Sequence, residues 1–456
     1  MAQSATTTTI VCEIGASTKP SPSPMPTWYS RHHLASMAGG AVMFTSGGMA
    51  MAHGLGWTQF RVTGFNQHFH CSWFVAVIIG TMISVQLGKY MPKKFIAGIS
   101  SLLILAGGTI FIADHNTMDS LVAGRYLNGI AVGLLTPQFL SHIADISRVN
   151  QRGACLGLEQ FSVTLGVALQ MIISKQWEEK SHFAANRLHG ILDVILAILA
   201  AISLCYFVES PLDYLRMGDE ASALSSLARL QRPPRVNKTH LSEQENLSAT
   251  SWLGPLAKML VFRSMMLALT FSMPLSEVLN GSSAANVVVW PIITAAGLRL
   301  VGSFLSLIVV DKIGRKFPSI LTAGTVGALM LAISILCLKH GGLNNSNIKS
   351  YLSVLCMAIQ FCAGLFAPIT SAYMGEAFPI KAKTYCLGVC VILEQAIQIA
   401  VILANIGFGI KVLLLVESVM ILVAFVFFCI TMPETSHKTP REAQKMFRYF
   451  FNWKFV

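Results

Sequence analysis

From Leu34 to Met432 the chain alternates long apolar runs with short polar breaks. A run of roughly 20 mostly apolar residues is long enough to cross a bilayer as a helix. Such runs fall at Leu34–Ala52, Cys71–Leu87, Phe95–Ala113, Ser120–Ile143, Ala154–Ser174 and Leu188–Phe207. They resume at Lys258–Leu279, Val287–Val310, Ile320–Leu338, Tyr351–Met374, Tyr385–Phe408 and Val412–Met432. In lipid every backbone N–H and C=O needs a partner within the fold, so runs of this length must be helices. The short alternating segments of a transmembrane barrel are missing. The pattern predicts an all-α membrane protein of twelve transmembrane helices in two six-helix, pseudo-symmetric halves.

Residues 1–33, rich in Ser, Thr and Pro, read as a disordered leader, with no basic segment followed by the apolar core of a signal peptide. Residues 34–208 form the first half, 209–257 a linker, 258–432 the second half and 433–456 a tail. Within the linker, Leu215, Ala221, Leu224, Leu227 and Leu230 recur at helical spacing. They predict short amphipathic helices against the membrane face, ended by Pro233-Pro234.

Composition agrees with the pattern. Hydrophobic residues make up 54% of the chain, charged residues 12%, and mean hydropathy is +0.60. A soluble domain carries about 25% charge. The net charge of +12 comes from small clusters between apolar runs, which orients helices and does not build a nucleic-acid surface. Lys and Arg concentrate after the even-numbered spans, at Lys89, Lys93, Lys94, Arg148, Arg152, Arg216–Lys238, Lys312–Lys316 and Lys381–Lys383. The positive-inside rule then places both termini in the cytosol. On that orientation the sequon at Asn344 faces outside and is a glycosylation candidate, whereas those at Asn237 and Asn246 are cytosolic and inert.

The ten cysteines form no CxxC pair, and most lie in or beside apolar runs, where a thiol acts as a small hydrophobe. His68, His70 and Cys71 sit close together where the second run begins and read as a polar loop rather than a metal site. No nucleophile–base spacing, phosphate-binding Gly loop or metal set points to an enzyme, and no cofactor is implied.

The halves echo each other. The fourth span exits through Asp145…Arg152 and the tenth through Glu376…Lys383, an acid followed seven residues later by a base. Gly124-Arg125-Tyr-Leu-Asn-Gly129, Asp145…Arg152-Gly153 and Gln160-Phe-Ser-Val-Thr164-Leu-Gly166 resemble the fourth and fifth helices of sugar porters of the major facilitator superfamily. Glu209-Ser-Pro211-Leu-Asp-Tyr-Leu is similar to their "PESPRWL" run. Asp311-Lys-Ile-Gly314-Arg315-Lys316 is similar to "D-x-x-G-R-R", and Pro433-Glu434-Thr435-Ser-His-Lys438-Thr439 to "PETKGKT". The end of the first helix, Gly54-Leu-Gly56-Trp57-Thr58, resembles the insect trehalose-transporter-like branch.

The resemblance implies a carrier that works by alternating access as a monomeric transport unit in the lipid bilayer. It implies a salt-bridge gate at the cytosolic end, built from Arg125, Asp145, Arg152 and Glu209 in one half. Asp311, Arg315, Glu376, Lys383 and Glu434 supply the other. The loop Gly88-Lys89-Tyr-Met-Pro92-Lys93-Lys94 lacks the family's acid, which predicts a weaker lock there. Of the family's sugar pocket, Gln160 is kept, with Thr164 and Gln170 on the same helix. Elsewhere the pattern departs. Asn280 matches only with a one-residue slide, Ser371 replaces a Trp, and Arg299 and Glu394 replace Asn residues.

An Arg and a Glu at mid-membrane cost roughly 2.5–3.5 kcal/mol each on insertion scales, which marks function or pairing. Three readings stand open: Arg299 and Glu394 form a buried ion pair, Arg299 binds an anionic or strongly polar solute, or Glu394 couples protons. Ser46 stands where proton-coupled relatives carry Asp, which favours a facilitator. The expected function is facilitative transport of a sugar or sugar-like solute, most naturally at the plasma membrane. The alternative is a divergent paralogue that carries another solute or acts as a transport-dead sensor.

Overall fold

The computed structural model describes residues 31–57, 67–177, 185–230, 252–284, 290–340 and 346–449 of the 456-residue chain. The Asn344 sequon and residues 231–251 of the linker lie outside these residues. Six long helices form the first half: Arg31–Gly54, Gln67–Leu87, Lys93–Ala113, Met118–Ile146, Arg152–Trp177 and Ala185–Leu204. The second half holds the seventh helix (253–284, interrupted), then Trp290–Val309, Lys316–Lys339, Ser346–Ala377, Lys383–Phe408 and Ile410–Thr431. Eleven of these are long and apolar enough to cross a membrane. The fourth, Met118–Ile146, is long enough but too polar, because it buries Arg125, Asn128, Gln138 and His142. It packs among its neighbours, so protein rather than lipid solvates those side chains.

The first helix packs on the fifth and sixth, the second on the fourth, and the third on the fourth and sixth. In the second half the tenth packs on the eighth and ninth, and the ninth on the twelfth. The halves meet where the fifth helix lies against the eighth and tenth, and the eleventh against the second and fourth. Apolar side chains such as Leu102, Phe304, Val354 and Val423 stay exposed on the outside, where lipid accepts them.

Glycine sets the closest crossings. A Cβ at Gly80 would lie 2.3 Å from the Ile130 carbonyl oxygen, between the second and fourth helices. Its counterparts between the eighth and tenth are Gly302, 2.4 Å from the Phe361 oxygen, and Gly364, 2.2 Å from the Arg299 oxygen. Small residues let membrane helices approach backbone to backbone.

Three local expectations change. His68, His70 and Cys71 belong to the second helix, not to a loop, since His70 Nδ1 meets the Gly54 carbonyl at 2.6 Å and draws that helix onto the first. The linker helices run Pro211–Arg216 and Glu220–Leu230, but the second buries Ala223, Ser226 and Leu230 while Ala221 and Leu224 face outward. Ser226 donates to the Glu209 carbonyl at 2.5 Å, so a small polar residue decides the face. The lysine loop is not slack either: Lys93 bridges Asp145 at 3.7 Å and Asp213 at 2.7 Å, the latter supplying a carboxylate from the linker.

Replacing Gly364 with Val collides with backbone, which cannot rotate aside. We expect Gly364→Val to yield little monodisperse protein on size-exclusion chromatography, while Gly98→Val, where a Cβ meets open space, behaves as the parent.

Candidate solute site and gates

A cavity lies where the halves meet. Trp73, Gln160 and Val132 line it from the first half, and Phe271, Arg299 and Gln398 from the second. Glu159, Arg263, Glu394 and Gln395 add charged and amide groups to its wall.

The dominant feature is an ion triad across the interface. Arg263 Nη2 and Nη1 donate to the two oxygens of Glu159 at 2.8 and 3.1 Å, and its Nε donates to Glu394 at 3.2 Å. Ser371 accepts from Arg263 at 3.0 Å and donates to Glu159 at 2.5 Å, and Gln160 Nε2 donates to Glu159 at 2.9 Å. Arg263 sits in a π-helical turn, Leu260–Met265. The wide turn sends Phe262 into a cluster with Phe366, Tyr373 and Phe428 while its neighbour Arg263 reaches the cavity.

Arg299 does not pair with Glu394. Its guanidinium lies 4.3 Å from the Phe271 ring centroid and donates to Gln360 at 2.8 Å. The expected ion pair fails because Arg263, one helix away, reaches Glu394 first. Glu159 and Arg263 escape sequence reasoning, although a buried acid beside Gln160 and an Arg inside an apolar run are the signals that could have found them. Of the other expected pocket residues, Thr164 is buried outside the cavity wall. Gln170 hydrogen-bonds Ser174 and His189 inside the first half. Asn280 donates to the Gly56 carbonyl at the end opposite the basic loops, and Ser371 serves the triad.

At the end bearing the Lys- and Arg-rich loops, here the basic end, the halves are tied reciprocally. Lys383 Nζ donates to Asp145 at 3.1 Å, and Arg152 lies 3.9 Å from Glu376. The base of each half therefore faces the acid of the other. Asp311 accepts from the Gly153 and Ala154 N–H groups at 3.0 and 2.8 Å, capping the fifth helix from across the interface. Arg315 binds Glu376, Thr435 and Asp311 within the second half. Glu434 accepts from the Arg315 and Lys316 N–H groups and caps the ninth helix.

Two expected gate residues lie elsewhere. Glu209 accepts from the Lys94 N–H at 2.7 Å and caps the third helix of its own half. Burial pushes its carboxyl pKa up, and that N–H pulls against the rise. Arg125 stands about 30 Å along the fourth helix from Asp145 at 1.5 Å per residue. It donates to the Ala50 carbonyl at 2.7 Å and to Ser72 at 3.0 Å, and lies over the Phe69 ring. It joins helices of the first half and takes no part in the basic-end gate.

The opposite end is shut as well. The seventh helix breaks at Phe271–Ser272, and Gln398 Nε2 donates to the freed carbonyls of Ala268 and Phe271 at 3.1 and 3.2 Å. Beyond the break, Ser276 and Asn280 donate to the Leu55 and Gly56 carbonyls, both at 2.7 Å, while Phe271 stacks on Trp57 at 4.6 Å. Both seals join the seventh helix to the end of the first, so the cavity is occluded.

A two-half helical bundle with a closed polar chamber and a breakable seal at each end defines a membrane carrier. The family model for "Sugar (and other) transporter" matches residues 66–447, and the chain belongs to that family. Among curated proteins it is similar to "Probable metabolite transport protein CsbC" of Bacillus subtilis, 23% identical over 406 residues, covering 83% of this chain and 86% of that protein. It is also similar to the "Galactose-proton symporter" of Escherichia coli, 22% identical, covering 72% of this chain and 73% of the other. Among solved structures, the proton:xylose symporter XylE bound to 6-bromo-6-deoxy-D-glucose superposes with a TM-score of 0.70 at 16% identity, covering 91% of this chain and 98% of that one. The protein is a multi-pass membrane transporter of the major facilitator fold, in a family of transporters rather than enzymes.

Losing a partner of a buried ion pair costs up to about 3–5 kcal/mol, and Glu159 is the carboxylate that Arg263 meets across the interface, whereas Glu394 lies in its own half. Glu159→Gln should therefore favour opening at the basic end, where Cys155 is buried. Alkylation of Cys155, mapped by mass spectrometry, should rise about tenfold or more, which corresponds to ~1.4 kcal/mol. Unchanged labelling would show that the triad does not hold the halves together.

Proposed function

We propose that the protein carries a sugar or sugar-like solute by alternating access, with the basic end and both termini in the cytosol. The observation that carries this reading is the reciprocal pairing of Asp145 with Lys383 and Glu376 with Arg152 around an occluded, amide- and ring-lined cavity. Trp73 in the wall offers an apolar ring to a sugar, while both faces of Phe271 are taken by Trp57 and Arg299. Gln395 Oε1 and Gln398 Oε1 are buried without partners, as acceptors for hydroxyl donors, and Arg299 Nε is an unpartnered donor. Two relatives, a probable metabolite transport protein and a galactose-proton symporter, support the same class of cargo.

In the carrier cycle the seals alternate. Parting Ser276 and Asn280 from the first helix admits solute from outside, and re-forming them occludes it. The Asp145–Lys383 and Arg152–Glu376 pairs then separate with the Glu159–Arg263 contact, releasing solute to the cytosol. Solute makes this favourable only if it binds the states unequally. Arg299 is placed to orient a polar or acidic group of the cargo, and no pair with Glu394 neutralises it.

Counterflow of labelled D-glucose or D-xylose in proteoliposomes tests the carrier reading, and absence of exchange for both, in correctly inserted protein, overturns it. In a double-mutant cycle, Asp145→Asn and Lys383→Met should each lower exchange several-fold, and the double variant should be no slower than the worse single one. Additive losses would mean that the pair does not act as a unit.

Epitopes at either terminus should be reached by antibody only after permeabilisation of cells, and surface biotinylation should recover the protein if it resides in the plasma membrane. Staining of intact cells at a terminus would reverse the orientation.

A further inference from the structure

A second buried polar cluster lies inside the first half, behind the cavity wall. Asp193 and His189, on the sixth helix, are each 1% exposed, and His189 Nε2 stands 3.2 Å from Asp193 Oδ2. On the ring's other side, His189 Nδ1 lies 2.7 Å from Gln170 Oε1, while Gln170 Nε2 donates to Ser174. An amide oxygen only accepts, so Nδ1 carries the hydrogen. In the neutral ring Nε2 would then turn a lone pair toward a carboxylate oxygen. One labile proton between the two atoms removes that repulsion.

The pair is wired to the cavity. Trp73, in the cavity wall, donates through Nε1 to Asn128 Oδ1 at 2.9 Å. Asn128 Nδ2 donates to Ser46 Oγ at 2.7 Å, and Ser46 donates to Asp193 Oδ1 at 2.7 Å. Every donor in the series points toward Asp193, so each bond polarises the next.

The pair also faces a row of imidazoles leading away from the basic end. The His53 ring lies 6.1 Å from His189 between centroids. His70 meets the carbonyl of Gly54, next to His53, and the exposed His68 lies one residue beyond Phe69, 3.1 Å from the Tyr126 hydroxyl. Of the titratable and charged groups, His53 from the first helix faces the pair, and Arg125 from the fourth helix and His70 from the second lie around His53. The third helix contributes Gly108 and Phe111, which do not titrate.

We propose that Asp193 and His189 form a proton-carrying site, filled through His70 and His53 from the end opposite the basic loops. Solute occupancy is sensed through Trp73, Asn128 and Ser46. In the loaded state a proton taken from water outside sits on His189 Nε2 against the Asp193 carboxylate. After reorientation the same proton leaves to water at the basic end, and the neutral ring returns. Asp193 is bonded to Ser46 of the first helix, and coupling of this proton to solute would make the protein a symporter. The coupling to solute rests on the carrier reading, but the proton site does not.

Two measurements separate them. Without solute, the tryptophan fluorescence of the purified protein should titrate with pH, and the transition should vanish in Asp193→Asn, His189→Gln and Trp73→Phe. A transition that persists in the first two variants overturns the proton site. In proteoliposomes with the outside one pH unit more acidic, D-glucose or D-xylose should accumulate up to about tenfold for one coupled proton. Asp193→Asn should keep counterflow, which shows that it is folded, and lose accumulation. Counterflow without accumulation in the parent overturns coupling, whereas a fluorescence transition without any sugar counterflow retains the proton site and overturns the sugar reading.

Discussion

Charge buried within the bundle needs a counter-charge or polar contacts within a few ångströms, and four arginines here divide into two that have carboxylates and two that rely on neutral partners. Arg263 lies between two carboxylates, and Arg315 binds Glu376 and Asp311. Arg125 relies on a carbonyl, a hydroxyl and a ring, and Arg299 on a ring and an amide. Desolvation costs several kcal/mol per ion, and close partners offset it. Where the partner belongs to the other half, the offset exists only while the halves are closed. That dependence turns a solvation requirement into a latch.

The latch is symmetric at the basic end because the chain repeats itself. Each half ends its fourth or tenth helix on an acid and opens the next on a base, and the two-fold arrangement brings each base to the other half's acid. These side chains are buried, so the weak coupling expected of surface pairs does not describe them. The opposite end has no such pairs among the described residues joining the first and seventh helices. It closes through hydroxyl and amide donors on backbone carbonyls and through Trp57 stacked on Phe271. Neutral contacts are cheaper to break than ion pairs, so the two ends do not open at equal cost.

Inside the halves the repeat persists with one difference. Ser46 on the first helix donates to Asp193 on the sixth, and Ser272 on the seventh donates to Glu417 on the twelfth at 2.9 Å. Only Asp193 has a histidine beside it. The first half alone therefore combines a buried carboxylate, a base and a hydrogen-bonded route to the cavity.

Much of the architecture could be read directly from residue order. Lipid forces backbone polar groups to pair within a segment, so apolar run length translates into helices, and a motif repeated in both halves reveals their symmetry. The fourth helix was legible too, although Arg125 and Gln138 make it too polar for the hydropathy that the other eleven reach. Side-chain partnership was not legible. Which carboxylate Arg263 meets depends on a π turn, on Ser371 near the end of the tenth helix, and on how closely the halves approach. Arg125 and Glu209 look like gate residues by motif, yet helix rise carries one to the far end and a capping bond keeps the other at home. Helix formation is decided within a segment, whereas pairing is decided by distances between segments that only the packed molecule possesses.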